Sequence, residues 1–242
     1  MRCMHEAAVH ARNCFVTLTY DEAHCPITGS LFYPDYQRFV RRLRKYAHPD
    51  RVRFYMCGEY GPQLQRPHFH ACLFGVDFDD KQFLFTGEAG EKVYRSGDLE
   101  RLWPLGISTV GAVTFESAAY VARYCVQKVT GLNAKAHYGN LVPEFNRCSL
   151  KPGIGAEFFD RFESDFFPHD YCVVNDKECP VPRYYAKRYQ RRSAFAQQLY
   201  QDLIQYEREL AGRARFEDNT PARLEAKEEV ASARASLLVR TL

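Results

Sequence analysis

Two histidines one residue apart, His68 and His70, are the side chains in this sequence best placed to grip a cation. They sit in the run RPHFHACLFG, whose apolar and aromatic residues read as a β-strand. Side chains alternate across a strand, so positions 68 and 70 project to one face with α-carbons roughly 6.5 Å apart, and Phe69 points the other way, into a core. Glu59 ends the preceding strand-like run, FYMCGEYG. If the two runs pair as a hairpin, its carboxylate stands beside the imidazoles as a hard oxygen ligand. Two histidines and one carboxylate, with positions left open, make a divalent site able to polarise a phosphate. The competing reading is two structural histidines in a sheet, and a His-x-His spacing alone leaves it open.

The second group is in YVARYCVQK. Tyr120 and Tyr124 are four apart, so on a helix their hydroxyls share a face; Lys128 follows one turn later and Arg123 flanks them. A phenol with an ordinary pKa near 10 attacks poorly at neutral pH. A neighbouring cation favours the phenolate, and a metal on a target phosphate makes phosphorus the better electrophile. The alternative is a pair of core-edge aromatics, although Ala118, Ala119, Ala122 and Val126 can pack such a helix instead. A zinc site from His5, His10, Cys14, His24 and Cys25 is a weaker option, because the spacing is irregular.

The elements that must hold these groups can be read from periodicity. Residues 15–20 (FVTLTY), 51–58, 67–75 and 106–113 read as strands, and 34–47 as a helix with proline at its first position and a stripe of Tyr36, Phe39, Val40, Leu43 and Ala47. A short helix opens near Ser96 and stops at Pro104. The tyrosine helix spans 114–131, capped by Thr114 and closed by Gly131, with Ser117 short of a full capping box. Residues 76–95 read as irregular and 132–182 as a loop-built layer. Two helices follow: one with Phe195, Leu199, Leu203, Tyr206 and Leu210 as its stripe, and one opening at Thr220-Pro221. The expected fold is α+β, a central antiparallel sheet flanked by helices and covered on one face by them, with a C-terminal helical appendage. The expected partition is 1–150 for the site-bearing domain, 151–192 for a loop-rich layer packed on it, and 193–242 for the C-terminal helices.

Composition excludes some classes. With 46% hydrophobic and 26% charged residues, the 242-residue chain is not globally disordered, and no apolar run approaches a bilayer span. The nine cysteines form no Cys-x-x-Cys pair and fit reduced thiols in a cytoplasm. Net charge is only +3, but residues 38–53 hold seven Arg/Lys against one acid. Residues 180–201 hold five Arg/Lys and no acid, interleaved with tyrosines. Such patches suit nucleic-acid backbones and bases, with Arg41, Arg44, Arg123, Arg183, Lys187 and Arg188 as candidate DNA contacts; a solvated helix face is the plain alternative.

FVTLTY, CGEYG…RPHFH and YVARYCVQK together resemble, in order and spacing, the three motifs of the HUH (His-hydrophobe-His) endonucleases that initiate rolling-circle replication. Within them the chain is similar to the replication initiators of microviruses, in particular gokushoviruses, through LFGVDF, TFESAAYVARYC and CPVPRYY. The likeness spans roughly residues 12–190. It implies an RRM-like sheet with the His pair on a middle strand, FVTLTY beside it as a bracing strand, and the tyrosines on a facing helix. It implies Mg2+ or Mn2+ held by His68, His70 and Glu59. One tyrosine would attack the scissile phosphate of single-stranded phage origin DNA, take the 5′ phosphate and free a 3′ hydroxyl. The other would later cleave the regenerated origin, and that 3′ hydroxyl would close the circle. Lys128 lies four residues past the second tyrosine where many members place a lysine at three. No phosphate-binding Gly-x-x-x-x-Gly-Lys-Ser/Thr loop is present, which implies reliance on a host helicase and polymerase in the bacterial cytoplasm, with no membrane role. A transposase or relaxase of the same fold would share the chemistry and differ in DNA sequence. A non-catalytic single-strand binder would form no covalent adduct.

Overall fold

The computed structural model describes residues 1–236 apart from 62–64, 88–89 and 175, without the side chains at 124–127 and 235–236. The chain divides into two compact units, Met1–Phe158 and the residues from Phe159 onward.

In the first unit the elements run α1 (Arg2–Ala8), β1 (Asn13–Tyr20), α2 (Tyr33–Tyr46), β2 (Arg53–Tyr60), β3 (Pro67–Phe74), β4 (Gln82–Thr86), β5 (Lys92–Arg95), α3 (Gly97–Leu102), β6 (Gly106–Gly111), α4 (Phe115–Gln127), α5 (Ala134–Tyr138) and β7 (Phe145–Cys148). Seven of these strands form one antiparallel sheet in the order β4-β5-β6-β1-β3-β2-β7. The histidine strand β3 therefore has a neighbour on each side. The stretch expected to be irregular, 76–95, instead contains the β4–β5 hairpin. Its polar, turn-rich sequence hides short edge strands, and β4 leaves Phe83, Leu84 and Phe85 exposed.

Helices cover both faces of the sheet rather than one. Tyr36, Phe39 and Leu43 of α2, with Leu99 and Trp103 at α3, bury the face that carries Val16, Leu18 and Phe69. Ala118 and Val121 of α4 lie on the other, against Phe15, Cys57, Cys72 and Phe74, with α1 alongside. The alternation seen in the sequence makes this division, because each strand sends successive side chains to opposite layers. Phe69 is fully buried on the α2 side, and His68 and His70 face α4.

α1, a helix absent from the sequence reading, is anchored by Glu6. This buried carboxylate pairs with the buried Arg53 guanidinium and accepts from the Gly155 backbone N–H at 2.5 Å. Replacing Glu6 with alanine strands a buried cation. The expected cost is about 3–5 kcal/mol of stability, measurable by urea unfolding.

The second unit begins within α6 (Ala156–Arg161) and continues through a hairpin of β8 (Tyr171–Val174) and β9 (Lys177–Pro180), then α7 (Arg183–Gln190), α8 (Ala194–Leu199), a π-helical turn at Tyr200–Gln205, α9 (Tyr206–Ala214) and α10 (Pro221–Ser236). Tyr185 stacks on Phe159 at 4.9 Å and Tyr189 on Phe167 at 4.3 Å, so two of the tyrosines between the basic residues build this unit's core. The expected stripe of the first C-terminal helix is not the buried one. Phe195, Leu203, Tyr206 and Leu210 are exposed, and Ala196, Tyr200 and Ile204 are buried. The wide π turn carries the buried row on at four-residue steps, which an α-helical period does not anticipate. No helix among the described residues is long and apolar enough to cross a membrane.

Candidate active site

Three strands and one helix build the site. In the β2–β3 ladder Glu59 lies opposite His68 and Cys57 opposite His70, so the hairpin condition is met and the carboxylate shares the histidine face. The carboxylate reaches diagonally: Glu59 Oε1 is 2.6 Å from His70 Nε2. On the other side β1 places Thr17 opposite His70 and Thr19 opposite His68. Their hydroxyls meet the Nδ1 atoms at 3.0 Å and 2.8 Å.

This changes the role of FVTLTY. The strand braces the face, as expected, and it also fixes both rings through Nδ1, turning each Nε2 toward the site. A hydroxyl can donate or accept, so each threonine can serve either tautomer of its histidine. Partners of this kind orient a metal-binding imidazole and set which nitrogen is available. Two threonines two apart, on a strand paired with His-x-His, were the signal, but only the register makes them neighbours of the rings.

Gly61 is the second residue missed. A Cβ at this position would lie 2.7 Å from His68 Nε2 and 3.2 Å from Cδ2. The missing side chain keeps open the space in front of the nitrogen that a cation would use. Gly61→Ala is expected to lower Mn2+ affinity at least tenfold without a large change in Tm, measured by calorimetric titration and thermal unfolding. Burial, reinforced by the neighbouring His70, lowers the His68 pKa to about 4, so at neutral pH its ring is uncharged and can act as a ligand.

α4 brings in the phenol. Its N-terminus carries a complete reciprocal capping box, with Thr114 Oγ1 accepting from Ser117 N–H at 3.2 Å and Ser117 Oγ accepting from Thr114 N–H at 2.8 Å. Serine thus does what glutamate or glutamine usually does at that position. The Asn146 side-chain amide donates to the Val121 carbonyl at 2.7 Å and ties the helix to β7. Tyr120 is buried, and its hydroxyl donates to Glu59 Oε1 at 3.3 Å. Its ring stands edge-on to His70 at 5.0 Å and to Phe15 at 6.4 Å. Tyr120 therefore packs the helix as well as presenting a hydroxyl, and of the alanines expected to replace it there Ala122 is exposed. Hydroxyl and carboxylate touch directly, so a phosphodiester can stand between them only after one of them moves.

The remaining candidates separate. Tyr124 is one turn further along α4, and its side chain lies outside the described residues, as does that of Val126. Arg123 places its guanidinium 5.8 Å from the Tyr120 ring centroid, a cation–π contact. Lys128 is not on the helical face expected for it: α4 ends at Gln127, three residues before the Thr130-Gly131 pair, and exposed Lys128 is its extended C-cap. Arg41 and Arg44 are on α2, across the sheet from the histidines. Arg183, Lys187 and Arg188 belong to α7 of the second unit, where Arg188 forms a two-pronged ion pair with Asp160 at 2.7 and 2.5 Å.

The donor set fits a hard divalent cation: two imidazoles turned by threonines to offer Nε2, one carboxylate, and a space that a Cβ would fill. It is not already closed, since among the described residues no three His, Cys, Asp or Glu form a ready metal cluster. Glu59 and His70 spend on each other the atoms a cation would take. The zinc alternative fares worse: Cys14 is fully buried in the core, His24 is held by Asp21, and His5 stacks on Phe158.

Comparison with known proteins points the same way. Residues 13–129 match the family model of the replication-associated protein ORF2. Replication-associated protein VP4 of Bdellovibrio phage phiMH2K is 33% identical over 199 residues, covering 79% of this chain and 62% of that protein. Replication-associated protein ORF2 of Spiroplasma virus 4 is 31% identical over 210 residues, covering 81% and 63%. For replication-associated protein ORF4 of Chlamydia phage 1 the identity is 29% over 188 residues, covering 74% and 46%. The chain thus spans about three fifths of the first two relatives and less than half of the third. No solved structure matches it.

Proposed function

We propose, from the premise that the chain belongs to the replication-associated protein ORF2 family and is related to microvirus replication proteins, that it serves phage DNA replication by nicking and rejoining single-stranded origin DNA through a 5′-phosphotyrosyl intermediate. The observation that carries this reading is the contact chain Tyr120–Glu59–His70: a phenolic hydroxyl 3.3 Å from a carboxylate that is itself 2.6 Å from an imidazole. A structural aromatic needs no such partner.

In the reaction the Tyr120 oxygen bonds to phosphorus as the bond from phosphorus to the 3′ oxygen breaks. The protein keeps the 5′ phosphate, and the leaving oxygen takes a proton to become a 3′ hydroxyl. Glu59 is in place to accept the phenolic proton. A carboxylate of ordinary pKa near 4 is a weak base for a phenol near 10, so proton transfer accompanies attack rather than preceding it. His68, His70 and Glu59 would hold Mg2+ or Mn2+, which when bound draws charge from the phosphate oxygens and makes phosphorus the better electrophile. Thr17 and Thr19 keep the rings from turning. Tyr124, in the next turn of the same helix, is the second nucleophile that strand closure requires.

The test is incubation of the protein with labelled single-stranded origin oligonucleotides and Mn2+, followed by denaturing gel analysis. A metal-dependent, protease-sensitive adduct on the 5′ phosphate is the expected product. Tight DNA binding with no adduct under any metal would assign the chain to the non-catalytic class.

A further inference from the structure

The basic run at 38–53 is divided by the fold. Arg38 pairs with Asp35, Arg42 donates to the Leu102 carbonyl, and Arg53 pairs with Glu6. Arg44 and Arg51 are left over, and the chain brings them to one place. A cleft of about 380 Å³ lies between the end of α2, the start of β2 and the segment after β7, lined by Arg44, Arg51, Arg53 and Lys151 over Val52 and Phe54. Arg51 donates one bond to the Lys151 carbonyl at 2.7 Å, which leaves its other N–H groups free to take another acceptor. Among the described residues no carboxylate pairs with Arg44, Arg51 or Lys151.

Four cationic side chains around one cleft, with a single carboxylate set against Arg53, repel one another at a cost the fold does not recover internally. An anion removes that cost. The rim is exposed at Arg44, Arg51, Leu150 and Lys151, whereas a pocket for a free nucleotide encloses most of its ligand. An open track of cations suits a continuous run of phosphates. Phe54 and Glu59 occupy opposite ends of β2, so the cleft is roughly 17 Å from the candidate nucleophile along the strand, a distance a few nucleotides of DNA span.

We infer that this cleft is a second binding site, for the phosphate backbone of DNA flanking the strand to be cut, and that it holds the flank while the His-Tyr face acts. This rests on the nicking role proposed above, but its test reads binding alone. Arg51→Ala, Lys151→Ala and the double variant change exposed side chains, and their thermal midpoints report that the fold is kept. Fluorescence anisotropy on the full chain would compare an oligonucleotide limited to the cut site with one extended by about fifteen nucleotides.

For the extended DNA, the double variant is expected to bind about tenfold more weakly, with a log–log salt dependence shallower by roughly 1.5, as for two lost phosphate contacts. Binding of the short oligonucleotide is expected to stay the same. Equal affinity of wild type and double variant for the extended DNA would overturn the inference. So would an equal loss on both lengths, or competition by inorganic phosphate or ATP beyond their ionic strength, which would mark a small-anion site. If wild type forms no adduct while the length-dependent loss is seen, the nicking role fails and the backbone site stands.

Discussion

Replacing both Tyr120 and Tyr124 with phenylalanine is expected to lower formation of the covalent DNA adduct by at least about 10³-fold, because no phenol remains on α4 to attack phosphorus. The substitution reports chemistry rather than collapse. Phenylalanine at position 120 keeps the edge-on contacts with His70 and Phe15 and gives up only the hydrogen bond to Glu59, worth about 0.5–1.5 kcal/mol. Either single variant is expected to retain cleavage and lose repeated strand closure, since closure needs a free tyrosine while the other is occupied. The measurement is a denaturing gel of 5′- and 3′-labelled oligonucleotides with Mn2+. Adduct persisting in the double variant at wild-type yield would remove both tyrosines from the mechanism.

Glu59→Gln is expected to reduce Mn2+ affinity by about 100-fold and adduct formation by at least as much. The amide keeps the shape of the side chain and an oxygen for His70 Nε2, but not the negative charge that a hard divalent ion requires. The variant separates metal binding from packing. Glu59→Ala would instead leave a buried imidazole nitrogen without its partner, costing about 1–3 kcal/mol and confusing the two effects. Calorimetric titration with Mn2+, run beside Thr17→Val, gives the comparison: losing a charged ligand should cost more than losing a hydroxyl that orients one. Unchanged Mn2+ affinity in Glu59→Gln would take the carboxylate out of the ligand set and leave it as a partner of Tyr120 and His70 alone.

The site as it stands is closed on itself. The Tyr120 hydroxyl, the Glu59 carboxylate and the His70 ring satisfy one another in a buried setting, and the phenol is covered by its own helix. Such an arrangement satisfies buried polar groups, which is why it persists, and the groups it ties together are those the reaction would use. DNA entry must therefore exchange these hydrogen bonds for others, and the energy for that exchange has to come from contacts made elsewhere on the strand. A cationic cleft at the far end of β2 is a place to make them.

Local pattern in the sequence determined the parity of His68 and His70, the four-residue spacing of the tyrosines, the amphipathic stripe of α2 and the strand character of FVTLTY. Each follows from a period of 2 or 3.6 and needs no partner. It did not disclose the β4–β5 hairpin, α1 or the buried row of the C-terminal helices, where elements are short or packing overrides period. What only the tertiary structure decided is who touches whom. Thr17 and Thr19 meet histidines some fifty residues away, and Glu59 passes over His68, its partner in register, to reach His70. Three of the seven basic residues at 38–53 are consumed as structural partners, and Arg44 and Arg51 are left facing a cleft. Strand register and layer packing are long-range choices among many pairings that a sequence allows. The free energy that selects one comes from burying the whole sheet at once, and no single motif contains it.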